Sequence, residues 1–159
     1  SPEGKVLKNS APDLQLPVRL PGLDVKRLPE TTFMPVEFPA GGYELGKAFT
    51  YEKDFDDSKV HYTVTPQKLE GNTLSVLVTT KQEFEILEDE AKALTKNSED
   101  AAWRVKTTAN GKGTATFDVS GKFLKEMNLV ADSESIASPL QGGSSETRKL
   151  KTTLKVTRK

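Results

Sequence analysis

The sequence predicts an all-β, or β-dominated, fold. It is read as a curved antiparallel sheet of about six or seven strands, closed as a partial barrel or folded over as a sandwich, with one short helix. Three observations carry this. Apolar residues recur at every second position in six separate runs from Gly41 onward. The breaks between runs are short and rich in Asp, Asn, Ser and Gly, which tolerate or enforce reversals. Apolar–polar alternation of this kind belongs to a sheet with one dry and one wet face.

The elements follow in chain order. Residues 1–40 hold seven of the nine prolines, at positions 2, 12, 17, 21, 29, 35 and 39. Proline fixes φ and removes a donor, so this part is neither a helix nor a central strand. It reads as an extended arm or linker, mobile at least as far as Ser10. Leu14, Leu16, Val18 and Leu20 share one parity, so residues 14–20 offer a greasy edge that suits a strap across the sheet. Residues 41–159 then form the antiparallel β domain.

In "GKAFTYEKDF" the apolar parity is Phe49, Tyr51 and Phe55, interrupted by Lys53; in "KVHYTVT" it is Val60, Tyr62 and Val64. "NTLSVLVTTKQEFEIL" aligns Leu74, Val76, Val78, Phe84 and Ile86, with Thr80 and Gln82 interrupting. Phe84, Leu87, Ala91 and Leu94 are spaced three, four and three apart, which predicts a short helix at about 88–96. A strand or extended piece follows from Trp103 to Thr108, with the indole buried. "ANGKG" reads as a further break before Ala115, Phe117 and Val119. "VSGKF" is a tight turn with Gly121 placed to use positive φ. "FLKEMNLVAD" aligns Phe123, Met127, Leu129 and Ala131, with Lys125 as the exception. Residues 138–147 are a Gly/Ser-rich loop, and Leu150, Leu154 and Val156 mark the last strand. The expected dry face comprises Tyr62, Val64, Leu74, Val76, Val78, Phe117, Val119, Met127, Leu129, Leu154 and Val156.

At 159 residues the chain suits one domain with a real core. Hydrophobic residues make up 35% and charged residues 29%, which leaves part of the chain outside that core. Lys+Arg and Asp+Glu balance at 23 each, so no global field favours nucleic acid or an anionic membrane. No apolar run approaches the roughly 20 residues of a membrane span. The absence of cysteine rules out disulfides and thiolate chemistry, and fits the cytosol or a bacterial envelope equally. The opening "SPEGKVLKNS" reads as a mature or trimmed chain from which an export signal has been cut.

Little in the sequence supports catalysis. The one histidine, His61, falls out of phase with Tyr62 and Val64, which puts it on the wet face without a nucleophile to serve. The serines of "VSGKF" and "PLQGGSSE" do not form a nucleophile elbow. Counting from Asp54 as the first place of a calcium loop, Lys59 and Thr65 occupy the places that need Gly and Glu. Asp54, Asp56 and Asp57 are explained by a solvated turn. "GKG" at 111–113 precedes a strand rather than a helix N-terminus, so it is no phosphate loop. No catalytic residue, metal ligand or cofactor is expected.

The candidate for partner contact is basic. Arg148, Lys149, Lys151, Lys155, Arg158 and Lys159 lie in "TRKLKTTLKVTRK" with no acid among them. Such a strip can meet a phosphate, a lipid head group or an acidic protein. It can equally be a lysine-decorated strand that discourages edge pairing or pairs across to acids on a neighbour. It lacks aromatic residues for base stacking, which counts against nucleic acid.

"YELGKAFTYE", "HYTVT", "GNTLSVLVTT" and "GKGTATFDVSGKFL", entered through "FPAGGYELGKAF", give residues 36–157 a pattern that resembles secreted or envelope-associated bacterial β-rich domains of unknown function. The resemblance implies that Gly111, Gly113, Phe117, Asp118 and Gly121 form hairpins. It also implies export to the periplasm or beyond, and no reaction. The expected role is therefore a non-enzymatic structural or interaction domain with a protein partner. The alternative is a carrier that holds an apolar or lipid-like ligand on a curved half-barrel.

Overall fold

A computed structural model describes residues 36–55, 58–87, 103–140 and 142–158. The described residues hold six strands: β1 (Phe49–Phe55), β2 (Ser58–Glu70), β3 (Thr73–Leu87), β4 (Trp103–Asp118), β5 (Phe123–Pro139) and β6 (Glu146–Thr157). They pair in chain order, each antiparallel to the next, as one open sheet. The fold is all-β and antiparallel, as the alternation required. The described residues form one sheet, not the two of a sandwich, and contain no helix. The helix expected at 88–96, the strap at 14–20 and the mobile start of the arm lie outside the described residues.

Register sorts the side chains. Val64 of β2, Leu74, Val76 and Val78 of β3, Ala115 and Phe117 of β4, and Leu124 and Met127 of β5 are buried on one face, with Val36 against them. Tyr62, Val119, Leu154 and Val156 pack onto this core, and Leu129 is half-buried between Gly113 and Leu154. The whole expected dry face is thus on the inner side of the sheet. The cover among the described residues comes from an unexpected quarter, the segment just before β1. Val36 is completely buried. The Phe38 ring meets Tyr43 at 5.6 Å, Phe49 at 5.9 Å and, edge-on, Phe117 at 5.3 Å. A large apolar side chain here leaves water on burial, and ring edges meeting ring faces add orientation.

Three local expectations are corrected. "ANGKG" is not a break, because β4 runs through it and Asn110, Gly111, Lys112 and Gly113 pair with both neighbours. Gly111 and Gly113 are therefore strand residues rather than hairpin residues. Lys125 does not face the dry side; it is the extra residue of a β-bulge, where the partners of Thr116 and Phe117 are Glu126 and Leu124. The bulge turns Leu124 inward, while Phe123, assigned to the dry parity, sits opposite Asp118 instead. A second bulge at Gln67 separates the partners of Val76 and Ser75.

The β4–β5 turn is the third correction. Positive φ falls on Lys122, at 55°, and not on Gly121. Gly121 is needed for space, since a Cβ there would come within 2.3 Å of the Phe123 ring. Asp118 organises the turn by accepting bonds from the Ser120 hydroxyl at 2.6 Å and the Gly121 amide at 2.7 Å. These two donors hold its carboxyl below the ordinary aspartate value of 3.8, the Ser120 hydroxyl contributing most. A depressed folded pKa means stabilisation that is present above the unfolded value and lost as pH falls through the folded one. Asp118→Ala is expected to lower the melting temperature at neutral pH, and the gap to wild type should narrow below about pH 3.8. Thermal melts across that range check this.

Candidate functional site

Three of the side chains that interrupt the apolar parity, Lys53, Thr80 and Gln82, converge at one end of the inner face. Lys53, Val60, Gln82, Ala109, Ser133 and Leu150 stand opposite one another in a row across all six strands. Tyr51, Tyr62, Thr80, Gly111, Ala131 and Thr152 form the adjoining row. Beyond them Thr107 faces Ser135, hydroxyl to hydroxyl at 2.9 Å, and the Ser133 hydroxyl donates to the Leu150 carbonyl at 3.3 Å. Lys53, Gln82, Thr107 and Ser133 are all buried. The inner face is therefore divided into an apolar half near Leu74 and Phe117 and a polar half around Lys53.

Burying an ammonium is costly unless it is paired. Lys53 Nζ lies 3.6 Å from Glu37 Oε1 and 5.9 Å from the centroids of both Tyr51 and Tyr62. Those two rings stack cross-strand at 4.8 Å. The cation thus meets a carboxylate and the faces or edges of two electron-rich rings. Glu37 belongs to the same entry segment as Val36 and Phe38, so this ion pair and the aromatic cluster hold one segment at two places. The arrangement can fasten a chain or hold an anionic group. The imidazole of His61 is on the opposite face, beside Glu52.

That outer face is a lattice of charge and threonine. One row reads Asp54, Lys59, Glu83, Thr108, Glu134, Lys149, and the next reads Glu52, His61, Lys81, Asn110, Asp132, Lys151. Lys59 approaches Glu52 at 3.5 Å and Asp54 at 3.8 Å, and Lys149 meets Glu134 at 3.0 Å. Lys81 lies 2.9 Å from Glu83, and its hydrogen bond lowers the Glu83 pKa. His61 Nδ1 is 2.9 Å from Glu52 Oε1, with over half of its side chain in water. Pairs this exposed contribute little. His61→Ala is accordingly expected to change stability by no more than about 0.5 kcal/mol in denaturant titration.

The basic strip does not form a single surface. Lys149, Lys151 and Lys155 point outward from β6, opposite Glu134, Asp132 and Asn128. Arg148 has inner-face parity, is highly exposed and lies 3.6 Å from Glu146. Arg158, past the strand end, stacks its guanidinium 4.1 Å above the Phe123 ring, and its amide donates to the Lys125 carbonyl. Lys159 lies outside the described residues. The acids that sit beside the lysines come from a different strand, so only register could reveal them. The buried polar half of the inner face was visible in the sequence merely as three interruptions in unrelated runs.

Among the described residues no group of three or more His, Asp or Glu is placed to hold a metal ion, and no helix is long and apolar enough to cross a membrane. Among the described residues, fold and surfaces define an open six-stranded antiparallel meander whose apolar half is covered by the segment just before β1. No family model, curated protein or solved structure matches the chain.

Proposed function

We propose that the chain is a non-enzymatic structural or interaction domain of a secreted or envelope-associated bacterial protein. The observation that carries the interaction part is the exposed side of the sheet, where two rows of mostly charged side chains, neutral at Thr108 and Asn110 of β4, begin with acids on β1 and end with lysines on β6. Ordered charge of this kind selects a partner and fixes its register more than it stabilises the fold. The assignment to the envelope rests on the resemblance of residues 36–157 to exported β-rich domains.

A second reading, a carrier for an apolar or lipid-like ligand, is favoured by the division of the inner face. Its apolar half would take a hydrocarbon in place of Val36 and Phe38, and Lys53 with its tyrosines would take a polar head in place of Glu37. Native mass spectrometry of protein taken from its own source decides between the two. The interaction reading expects protein subunits in complex and no small-molecule adduct. An adduct that survives desalting and leaves on denaturation would overturn it in favour of the carrier.

A further inference from the structure

The two terminal strands match each other. In an antiparallel meander of six strands, β1 and β6 run in opposite directions. Among the described residues each pairs with one strand, β2 for β1 and β5 for β6. On the outer face β1 carries Glu52 and Asp54, while β6 carries Lys149 and Lys151. The same cross-strand rows that begin at Glu52 and Asp54 end at Lys151 and Lys149. We propose that β1 of one copy pairs with β6 of the next in that register, Glu52 opposite Lys151 and Asp54 opposite Lys149, continuing the sheet from molecule to molecule.

Other registers pair fewer opposite charges. A slip of two residues in either direction keeps only one acid–lysine pair, with Asp54 against Lys151 or Glu52 against Lys149. A slip of one residue sends both acids to the opposite face from the lysines. In the matched register Thr50 faces Thr153, and on the inner side Phe49 faces Leu154, so the apolar row through Val64, Val78 and Leu129 continues across the joint. Self-pairing of like edges fares worse. Two β6 strands would bring their outward lysines against one another, and two β1 strands would bring Glu52 and Asp54 together, both destabilising. The existing ion pairs at these residues are solvent-exposed and weak, so they present no obstacle.

The partner is thus a second copy of this chain. The contact is heterologous, so it propagates as an open row unless a rotation closes it. One seven-residue strand is a small interface, so the association should be weak, dependent on concentration and diminished by salt. The inference rests on the reading of the sheet as an interaction domain and names what it binds.

Sedimentation velocity over a concentration series at low and high salt tests it. Wild type should shift to faster-sedimenting species with concentration, and less so at high salt. The charge reversals Lys149→Glu with Lys151→Glu, and Glu52→Lys with Asp54→Lys, should each be monomeric. An equimolar mixture of the two variants should associate again, because every edge then meets its complement. A monomeric wild type, or variants that associate as wild type does, would overturn the proposal. The chain has no native cysteine, so Thr50→Cys with Thr153→Cys reads the register directly. Disulfide-linked ladders on a non-reducing gel are expected, whereas a cross-link confined to single chains would show the sheet closing on itself and refute the joint. A monomer that still binds another protein in native mass spectrometry would leave the interaction reading standing without self-pairing. A small-molecule adduct would remove that reading whatever the sedimentation shows.

Discussion

Truncation after Glu146 is expected to yield a chain that unfolds or aggregates, seen as loss of the far-ultraviolet β signal or as early elution in gel filtration. The cut removes β6 beyond Glu146 from its pairing along β5, from Ile136 to Glu126. Leu154 and Val156 go with it, both packed on the core, and Met127 loses the cover of Val156 opposite. Full burial of such side chains is worth about 1.5–3 kcal/mol each. Even the partial burial seen here is a sizeable fraction of a typical domain stability of about 5–15 kcal/mol. The new edge would also be more hazardous than the old one. Strand β5 is 17 residues long and carries Leu129, Val130 and Ile136, whereas β6 presents lysines to any strand that approaches. Normal folding of the truncated chain would show β6 to be an appendage.

Gly113→Ala should destabilise far more than Gly111→Ala, although both glycines sit in the middle of β4. A Cβ on Gly113 would lie 2.0 Å from the Asn128 carbonyl oxygen and 2.7 Å from the Leu129 Cα. Both are backbone atoms of the paired strand, so β4 and β5 would have to separate. On Gly111 the nearest atom is the Thr80 hydroxyl at 2.2 Å, followed by carbons no nearer than 3.6 Å. A threonine rotor can turn away, and a strand cannot. Overpacking of this kind costs about 1–3 kcal/mol and occasionally more, and we expect Gly113→Ala at or above the upper end by thermal melting. Equal losses at the two sites would show that the strands accommodate the methyl by a shared movement.

These glycines mark the limit of what the sequence conveys. Strand parity was legible in β2 and β3 because Val60, Tyr62, Val64, Leu74, Val76 and Val78 follow a strict period of two on one side of the sheet. The same rule failed at Asn110–Gly113, because local turn chemistry and close strand approach both select glycine, and only the partner strand distinguishes them. It failed at Lys125 for a related reason: a bulge adds one residue and resets parity, so an apparent charged intruder is the extra residue itself. Lys53 and Gln82 stand out in the sequence as breaks in two apolar runs. Their meeting in one row depended on the register between β1, β2 and β3, which no single segment encodes. The basic strip was legible as composition. Its division among β6, the opposing acids of β5 and the Phe123 ring was not.

The sequential order of the strands has a mechanical consequence. Strand β1 begins, and β6 ends, at the same end of the sheet but on opposite edges. A load applied across the two termini therefore pulls the outermost strands sideways, along the direction of the cross-strand hydrogen bonds. Bonds loaded this way break one after another, as in a zipper, and never share the force as a ladder loaded in shear would. Among the described residues the pull at the amino end meets Val36, Glu37 and Phe38 before β1, and their contacts with the core, Lys53 and Phe117 must yield before β1 can peel. Under tension the domain should lengthen in strand-sized steps from its edges, with Glu37 and Phe38 acting as the catch that sets the force of the first step.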